Sequence, residues 1–304
     1  MIEIKDCVME YDDFRAVDGI TLSIPSGCSY GLLGSNAAGK STLLKAMSGV
    51  YKPASGSVTM DGVQIFDNPA IKERLFFVDD ETVQFSNITL WDMRKMYKRF
   101  YPKFSETLFY DLLGTVGLPE KRKLHTFSKG MKRQAAVICG ISACTDYLFI
   151  DEAFDGIDQT MRTVIKKIMI DAMLDRQLTV VFSSHNLGEI DEFCDRAALI
   201  YGGKVVFDRD IESVKDDLVK VQAVFDRTVT KEDFPGLDIV HIENSGSITY
   251  IIAHGGFEKL RAAGERLSPT VWDEMRLTLK EIFVYEMEGA GYDGSRLENK
   301  EQTA

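Results

Sequence analysis

Long apolar runs are missing from this sequence, and that absence limits what the chain can do alone. The longest candidate, residues 135–150, is interrupted by Ser142, Thr145 and Asp146. It falls well short of the ~20 apolar residues that span a bilayer. The opening residues, MIEIKDCVMEYDD, show no basic segment followed by an apolar one, so neither a signal peptide nor a direct membrane span is expected. Positive charge is also short: 36 Lys+Arg stand against 47 Asp+Glu, for a formal net charge of -11 at pH 7. Residues 1–218 and 219–304 are both net negative, and neither end carries a basic arm. Nucleic acid and anionic lipid would repel such a surface, so neither is an expected partner. Cysteine is sparse, with Cys7, Cys28, Cys139, Cys144 and Cys194 forming no CxxC pair. That usage suits reduced thiols in a cytosolic setting better than a disulfide framework, each acting as a small buried apolar residue. Internal repeats and long low-complexity segments are absent as well.

What remains is an ordinary globular composition, 45% hydrophobic and 27% charged over 304 residues. Such a length accommodates about two domains, each with its own core. Short β-rich runs at 2–9, 29–33, 147–150 and 179–183 alternate with helical stretches such as 160–175, where Met161, Ile165, Ile168 and Ala172 repeat at helical spacing. That alternation predicts an α/β fold with a parallel sheet. Residues 87–142 read as a mainly helical insert. Thr89 and Asp92 resemble a capping box, and Leu90, Met93, Tyr97 and Phe100 share one face. Further helices are expected at 111–116 and 130–143. Beyond residue 210 the pattern becomes a hairpin, 239–242 and 248–252 across Asn244-Ser245-Gly246-Ser247, followed by helices at 257–267 and 277–287. This predicts a first domain at 1–210, an accessory domain at 211–288 and a disordered tail at 289–304.

The strongest local signal is Gly34-Ser35-Asn36-Ala37-Ala38-Gly39-Lys40-Ser41-Thr42, a match to G-x-x-x-x-G-K-[ST] between a β-run and a helical run. Glycines let the backbone curl so that successive N–H groups point inward at phosphate oxygens. The following helix adds the positive end of its dipole. Lys40 supplies a point charge to the β- and γ-phosphates, and Ser41 an oxygen ligand to Mg²⁺. The apolar run Tyr147–Ile150 then ends in Asp151 and Glu152. Asp151 is positioned as a second Mg²⁺ ligand, and Glu152 to orient or deprotonate an attacking water. These residues point to a nucleoside triphosphatase, with hydrolysis favoured over transfer to a large acceptor.

With these motifs in this order, about residues 1–210 resemble the ATP-binding cassette (ABC) ATPases. The resemblance implies a P-loop NTPase with a RecA-like parallel-sheet core, an N-terminal antiparallel β-subdomain, an α-helical subdomain and here a small α+β C-terminal extension. It implies that Tyr11, or less well Phe14, stacks on adenine. Phe127-Ser128-Lys129-Gly130-Met131 is similar to the family signature in Ser128 and Gly130 but departs at Lys129 and Met131. Its Ser128 stands 23 residues before Asp151, as the family spaces it. Asp158, in Asp155-Gly156-Ile157-Asp158, resembles the D-loop carboxylate, and His185 resembles the switch histidine that contacts the γ-phosphate. Ala37 stands where the family commonly has glycine. Asp80 stands at the position of the family's Q-loop glutamine and by that match would reach Mg²⁺.

The resemblance further implies ATP and Mg²⁺ as ligands and a sandwich of two cassettes. Lys40, Ser41, Asp151, Glu152 and His185 of one chain would there face Ser128 and Gly130 of the other. One phosphate loop per chain requires a homodimer or a related second ATPase subunit. A separately encoded transmembrane permease is the expected partner, with export the expected direction and Trp91, Arg94, Lys95, Lys98 and Arg99 a candidate docking surface. Such a subunit would be cytoplasmic, peripheral on the inner face of the cell membrane through its permease. The alternative is a non-transport ABC ATPase acting on a cytosolic assembly, which commonly carries two cassettes or a long coiled coil. Residues 219–304 could also be a regulatory or small-ligand module.

Overall fold

The computed structural model describes residues 1–79, 87–152 and 154–289. It divides into two compact units, Met1–Asp208 and Arg209–Ala304. The first unit opens with β1 (Ile2–Tyr11), β2 (Phe14–Ile24), β3 (Ser29–Leu33), α1 (Lys40–Met47), β4 (Ser55–Met60), β5 (Val63–Gln64), α2 (Pro69–Lys72) and β6 (Leu75–Val78). Three helices follow: α3 (Leu90–Phe100), α4 (Glu106–Val116) and α5 (Lys129–Ser142). The chain returns to the sheet through β7 (Tyr147–Ile150), α6 (Gln159–Arg176), β8 (Thr179–Ser184), α7 (Leu187–Phe193), β9 (Arg196–Tyr201) and β10 (Lys204–Asp210).

These strands form two sheets. A six-stranded sheet runs β10-β9-β3-β8-β7-β6, and its β9-β3-β8-β7-β6 pairings are all parallel. Strands β3, β7 and β8 are buried along their whole length, which is why they show no polar–apolar alternation. An antiparallel sheet, β2-β1-β4-β5, forms the second. Its first strand buries Ile2 and Ile4 and then Cys7 and Met9, an even-to-odd switch that simple alternation forbids. A bulge explains it. The register shifts between Ile4 and Cys7, where Asp6 adopts a left-handed φ of 47°, and the extra residue returns the apolar side chains to one face. The fold is therefore α/β with a parallel core sheet, an antiparallel β-subdomain and a helical segment.

Helix starts follow local chemistry. The Thr89–Asp92 capping box is present at α3, with Asp92 Oδ2 accepting from Thr89 N–H at 2.9 Å. Helix α4 begins at Glu106 and not at 111, because the Ser105 side chain caps it by accepting from Leu108 N–H at 3.2 Å. Among the described residues no helix is long and apolar enough to cross a membrane.

The second unit contains α8 (Ile211–Asp217), β11 (Leu218–Val224), β12 (Ile239–Ser245), β13 (Ile248–His254), α9 (Gly256–Gly264), β14 (Val271–Met275) and α10 (Leu279–Gly289). Its four strands form an antiparallel sheet in the order β12-β13-β11-β14. The β12–β13 hairpin pairs Ser245 with Ile248, so its turn is tighter than the four residues expected. Val221, Ile251, Phe234 and Leu260 lie in a core of its own.

Beneath the ends of β7 and β8, the Phe182 ring packs against Phe154 at 5.7 Å and Phe193 at 5.5 Å, and all three are buried. Removing a buried phenyl ring leaves a cavity as well as losing transfer free energy. Phe182→Ala is expected to destabilise the first unit by about 3–5 kcal/mol, read as a lower urea midpoint. A loss under about 1 kcal/mol would mean the cluster is not packed as described.

Candidate functional site

The phosphate-loop segment leaves β3 at Leu33 and enters α1 at Lys40. Two features explain its path. Gly39 has φ 108°, and a Cβ there would lie 2.3 Å from the carbonyl oxygen of Ala16, so only glycine fits. Ahead of it, Ala38 N–H donates to Ser35 O at 3.1 Å, closing a turn in which Ala37 takes a left-handed φ of 64°. That third turn position favours glycine. The alanine there stores strain of roughly 1–2 kcal/mol.

Lys40 is 4% exposed. Its Nζ donates to Gly34 O at 2.8 Å and Ser35 O at 3.1 Å, and stands 3.6 Å from Glu152 Oε1. Burial pushes its ammonium pKa down, while the nearby Glu152 and Asp151 charges pull it back up. Glu152 Oε2 lies 2.9 Å from His185 Nδ1, so one carboxylate bridges the loop lysine and the histidine. Its backbone is left-handed, with φ 49°. The Glu152 N–H donates to Ser183 Oγ at 2.8 Å, and the Ser183 hydroxyl donates to Asp151 Oδ1 at 2.5 Å.

A cavity of about 400 Å³ opens at this point, lined by Tyr11, Phe14, Ala16, Asn36, Ala37, Ala38, Gly39, Lys40, Ser41, Thr42 and Glu152. Tyr11 and Phe14 are exposed, and Tyr11 meets Tyr51 edge-to-face with centroids 6.1 Å apart. The structure thus brings most of the sequence-derived residues to one concavity. Gly34, Ser35, Asp151 and His185 are not among its lining residues, and neither are Ser128, Gly130 and Asp158. Ser128 caps α5, accepting from Met131 N–H at 3.2 Å, and Asp158 caps α6, its Oδ1 accepting from Met161 N–H at 3.0 Å. A Cβ on Gly130 would sit 2.3 Å from Gly156 O, and Lys129 Nζ meets Asp155 Oδ2 at 2.6 Å. Residues 128–130 and 155–158 are therefore fastened together within one chain. The Lys129 hydrogen bond holds the Asp155 carboxyl below its usual pKa. Asp80 lies outside the described residues.

Ser41 and Asp151 present hard oxygen donors of the kind Mg²⁺ takes, usually with few protein ligands and several waters or phosphate oxygens. Among the described residues there is no larger cluster of His, Cys, Asp or Glu that could hold a metal ion.

A family model described as ABC transporter matches residues 17–155. The ABC transporter ATP-binding protein YtrB of Bacillus subtilis (strain 168) is 26% identical over 95% of this chain and 99% of its own length. The daunorubicin/doxorubicin resistance ATP-binding protein DrrA of Streptomyces peucetius is 30% identical over 71% of this chain and 67% of its own. The chain belongs to the ABC transporter ATP-binding proteins. As an ABC ATPase subunit it shares the fold of a solved dimeric bacterial ABC transporter cassette, MJ0796, with TM-score 0.64 and 18% identity over 69% of this chain and 99% of that one. Tyr11, Asp158 and His185 fall outside the stretch matched by the family model.

Ser183 belongs to no motif in the sequence and there only ends a β-rich run. Its signal was a hydroxyl directly after the apolar run Val180–Phe182, on the strand beside the acidic pair. The residue is fully buried. Ser183→Ala strands both the Asp151 carboxylate and the Glu152 N–H, at an expected cost of about 1–3 kcal/mol in chemical denaturation of the nucleotide-free protein. An unchanged midpoint would show that the hydroxyl holds neither.

Proposed function

We propose that this subunit binds MgATP in the 400 Å³ cavity and hydrolyses it. Two cassettes close around two nucleotides and drive a separately encoded permease in the direction of export. The observation that carries this reading is the Glu152 carboxylate held between Lys40 Nζ and His185 Nδ1 at the rim of the phosphate loop.

Each residue then has a task that its present contacts support. Backbone N–H groups from Gly34, Ser35, Asn36, Ala37, Gly39 and Thr42 would surround the phosphates, with Ala38 lining the loop while its N–H closes the turn on Ser35 O. Lys40, now serving loop carbonyls, would turn its ammonium to the β- and γ-phosphates. Ser41 and Asp151 would hold Mg²⁺, which supplies charge neutralisation on the phosphate oxygens. Glu152 would orient the attacking water and take its proton, with His185 steadying that carboxylate and reaching the γ-phosphate. Tyr11 would stack on adenine. Ser128 and Gly130 would face the nucleotide of the opposing subunit, and Asp158 would lie at the interface.

A chain with a single phosphate loop needs a second cassette, and the solved cassette MJ0796 is described as dimeric. Export accords with the resistance function in the name of DrrA. Attachment at the inner face of the membrane would run through the permease, since no described helix crosses a bilayer. The cassette accounts for residues to about 210. The remainder, within a chain of which YtrB matches 95%, would be an accessory domain.

Glu152→Gln is expected to keep MgATP affinity while turnover falls about 10²–10⁴-fold, and to form an ATP-dependent dimer in sedimentation velocity. Lys40→Ala should weaken ATP binding in titration calorimetry. Near-normal hydrolysis by the first variant, or unchanged affinity in the second, would overturn the assignment.

A further inference from the structure

We infer that Arg162 is a positioning residue that ties the 155–158 segment to the turn carrying His185. Its consequence for turnover rests on the hydrolytic reading above. Arg162 stands in the first turns of α6. Its Nε donates to the carbonyl oxygen of Ile157 at 2.8 Å, and its Nη1 donates to Glu189 Oε1 at 3.0 Å. Glu189, on α7, has a largely buried side chain at 13% exposure. Its second oxygen, Oε2, accepts from the Ser184 hydroxyl at 2.6 Å. Ser184 Oγ in turn accepts from Asn186 N–H at 2.9 Å. These bonds close the turn around His185, the residue whose ring meets Glu152.

One planar guanidinium therefore grips two backbone regions at once. It holds the 155–158 segment directly and the His185 turn through a carboxylate with both oxygens engaged. A fork of fixed geometry does this, whereas the single ammonium of lysine does not. Movement of 155–158, the segment also bound by Lys129 through Asp155, passes through Arg162 and Glu189 to Ser184 and so to His185. The linkage lies within one chain. It makes the state of that segment felt at the chain's own hydrolytic centre.

The chain has four histidines, so the His185 imidazole is assignable in proton–carbon NMR by its loss in His185→Gln. In nucleotide-free protein, Arg162→Gln should shift or broaden the His185 signal and leave those of His241 and His254 in place. With saturating ATP, kcat should fall roughly tenfold, the scale of a coupled hydrogen-bond network, while KM for ATP stays unchanged. Arg162→Lys should rescue neither readout. Glu189→Gln should reproduce both, and serves in its place should Arg162→Gln fail to fold. An unmoved His185 signal, or a raised KM with unchanged kcat, overturns the linkage. A wild-type chain that does not hydrolyse ATP would instead overturn the functional reading, and the NMR result would still decide the linkage.

Discussion

In the central sheet Leu33 lies opposite Ser184, and Ile150 lies opposite Phe182. The next residues on each strand are Gly34, His185 and Asp151, so loop, histidine and carboxylates leave the sheet side by side. A parallel sheet buried on both faces holds this alignment through its packing. Phe182, packed against both Phe154 and Phe193 in a mutually contacting trio, cannot slide along the strand without losing those contacts. The polar ends of the strands are held differently, because burial leaves no water to satisfy them. Ser183 supplies the bond there, linking the tips of β7 and β8. The ligand crevice at the carboxyl ends of parallel strands follows from this one alignment.

Electrostatics at the site runs against the charge of the whole molecule. A net charge of -11 repels an anionic nucleotide at long range, although salt screens that field beyond about 8–10 Å. Any attraction for phosphate would therefore have to be local, with Lys40 the nearest cation in the cavity lining. A buried ammonium is costly without partners. Two carbonyl oxygens and the Glu152 carboxylate supply them. Binding of phosphate would replace one set of acceptors with another, so the lysine is poised without being left bare.

The legible part of this structure is the part written in contiguous residues. The phosphate loop, the acidic strand tip at Asp151 and Glu152, the capping box at Thr89 and the C-terminal hairpin each occupy a few adjacent positions. The less legible part depends on pairing between distant residues. β2, β4 and β5 show weaker patterns, and the parity switch in β1 comes from a bulge at Asp6 that the sequence does not announce. Helix α4 starts five residues early because a single serine caps it. Ser183 and Arg162 act through partners 31 and 27 residues away in sequence, so no local motif points to them. Ser128 and Asp158 were legible as motif positions, yet in one chain each simply caps its own helix.

Left-handed backbone at non-glycine residues recurs in turns across the described chain, and two instances stand at the candidate site. Ala37 and Glu152 are both left-handed without being glycine, at roughly 1–2 kcal/mol apiece. Such conformations persist only when the surroundings over-determine them. At Ala37 the closing bond from Ala38 N–H to Ser35 O fixes the turn, and Gly203 N–H binds the Ala38 carbonyl from outside at 3.1 Å. At Glu152 the backbone is held by Ser183 while the carboxylate is held by Lys40 and His185. A glutamate restrained at both ends can point its carboxylate in only one direction. Relaxing its φ would swing that carboxylate away from the lysine and the histidine together. The strain at position 152 is thus the physical cost of holding one carboxylate between two cationic or polarisable partners, and the buried serine beside it offsets that cost.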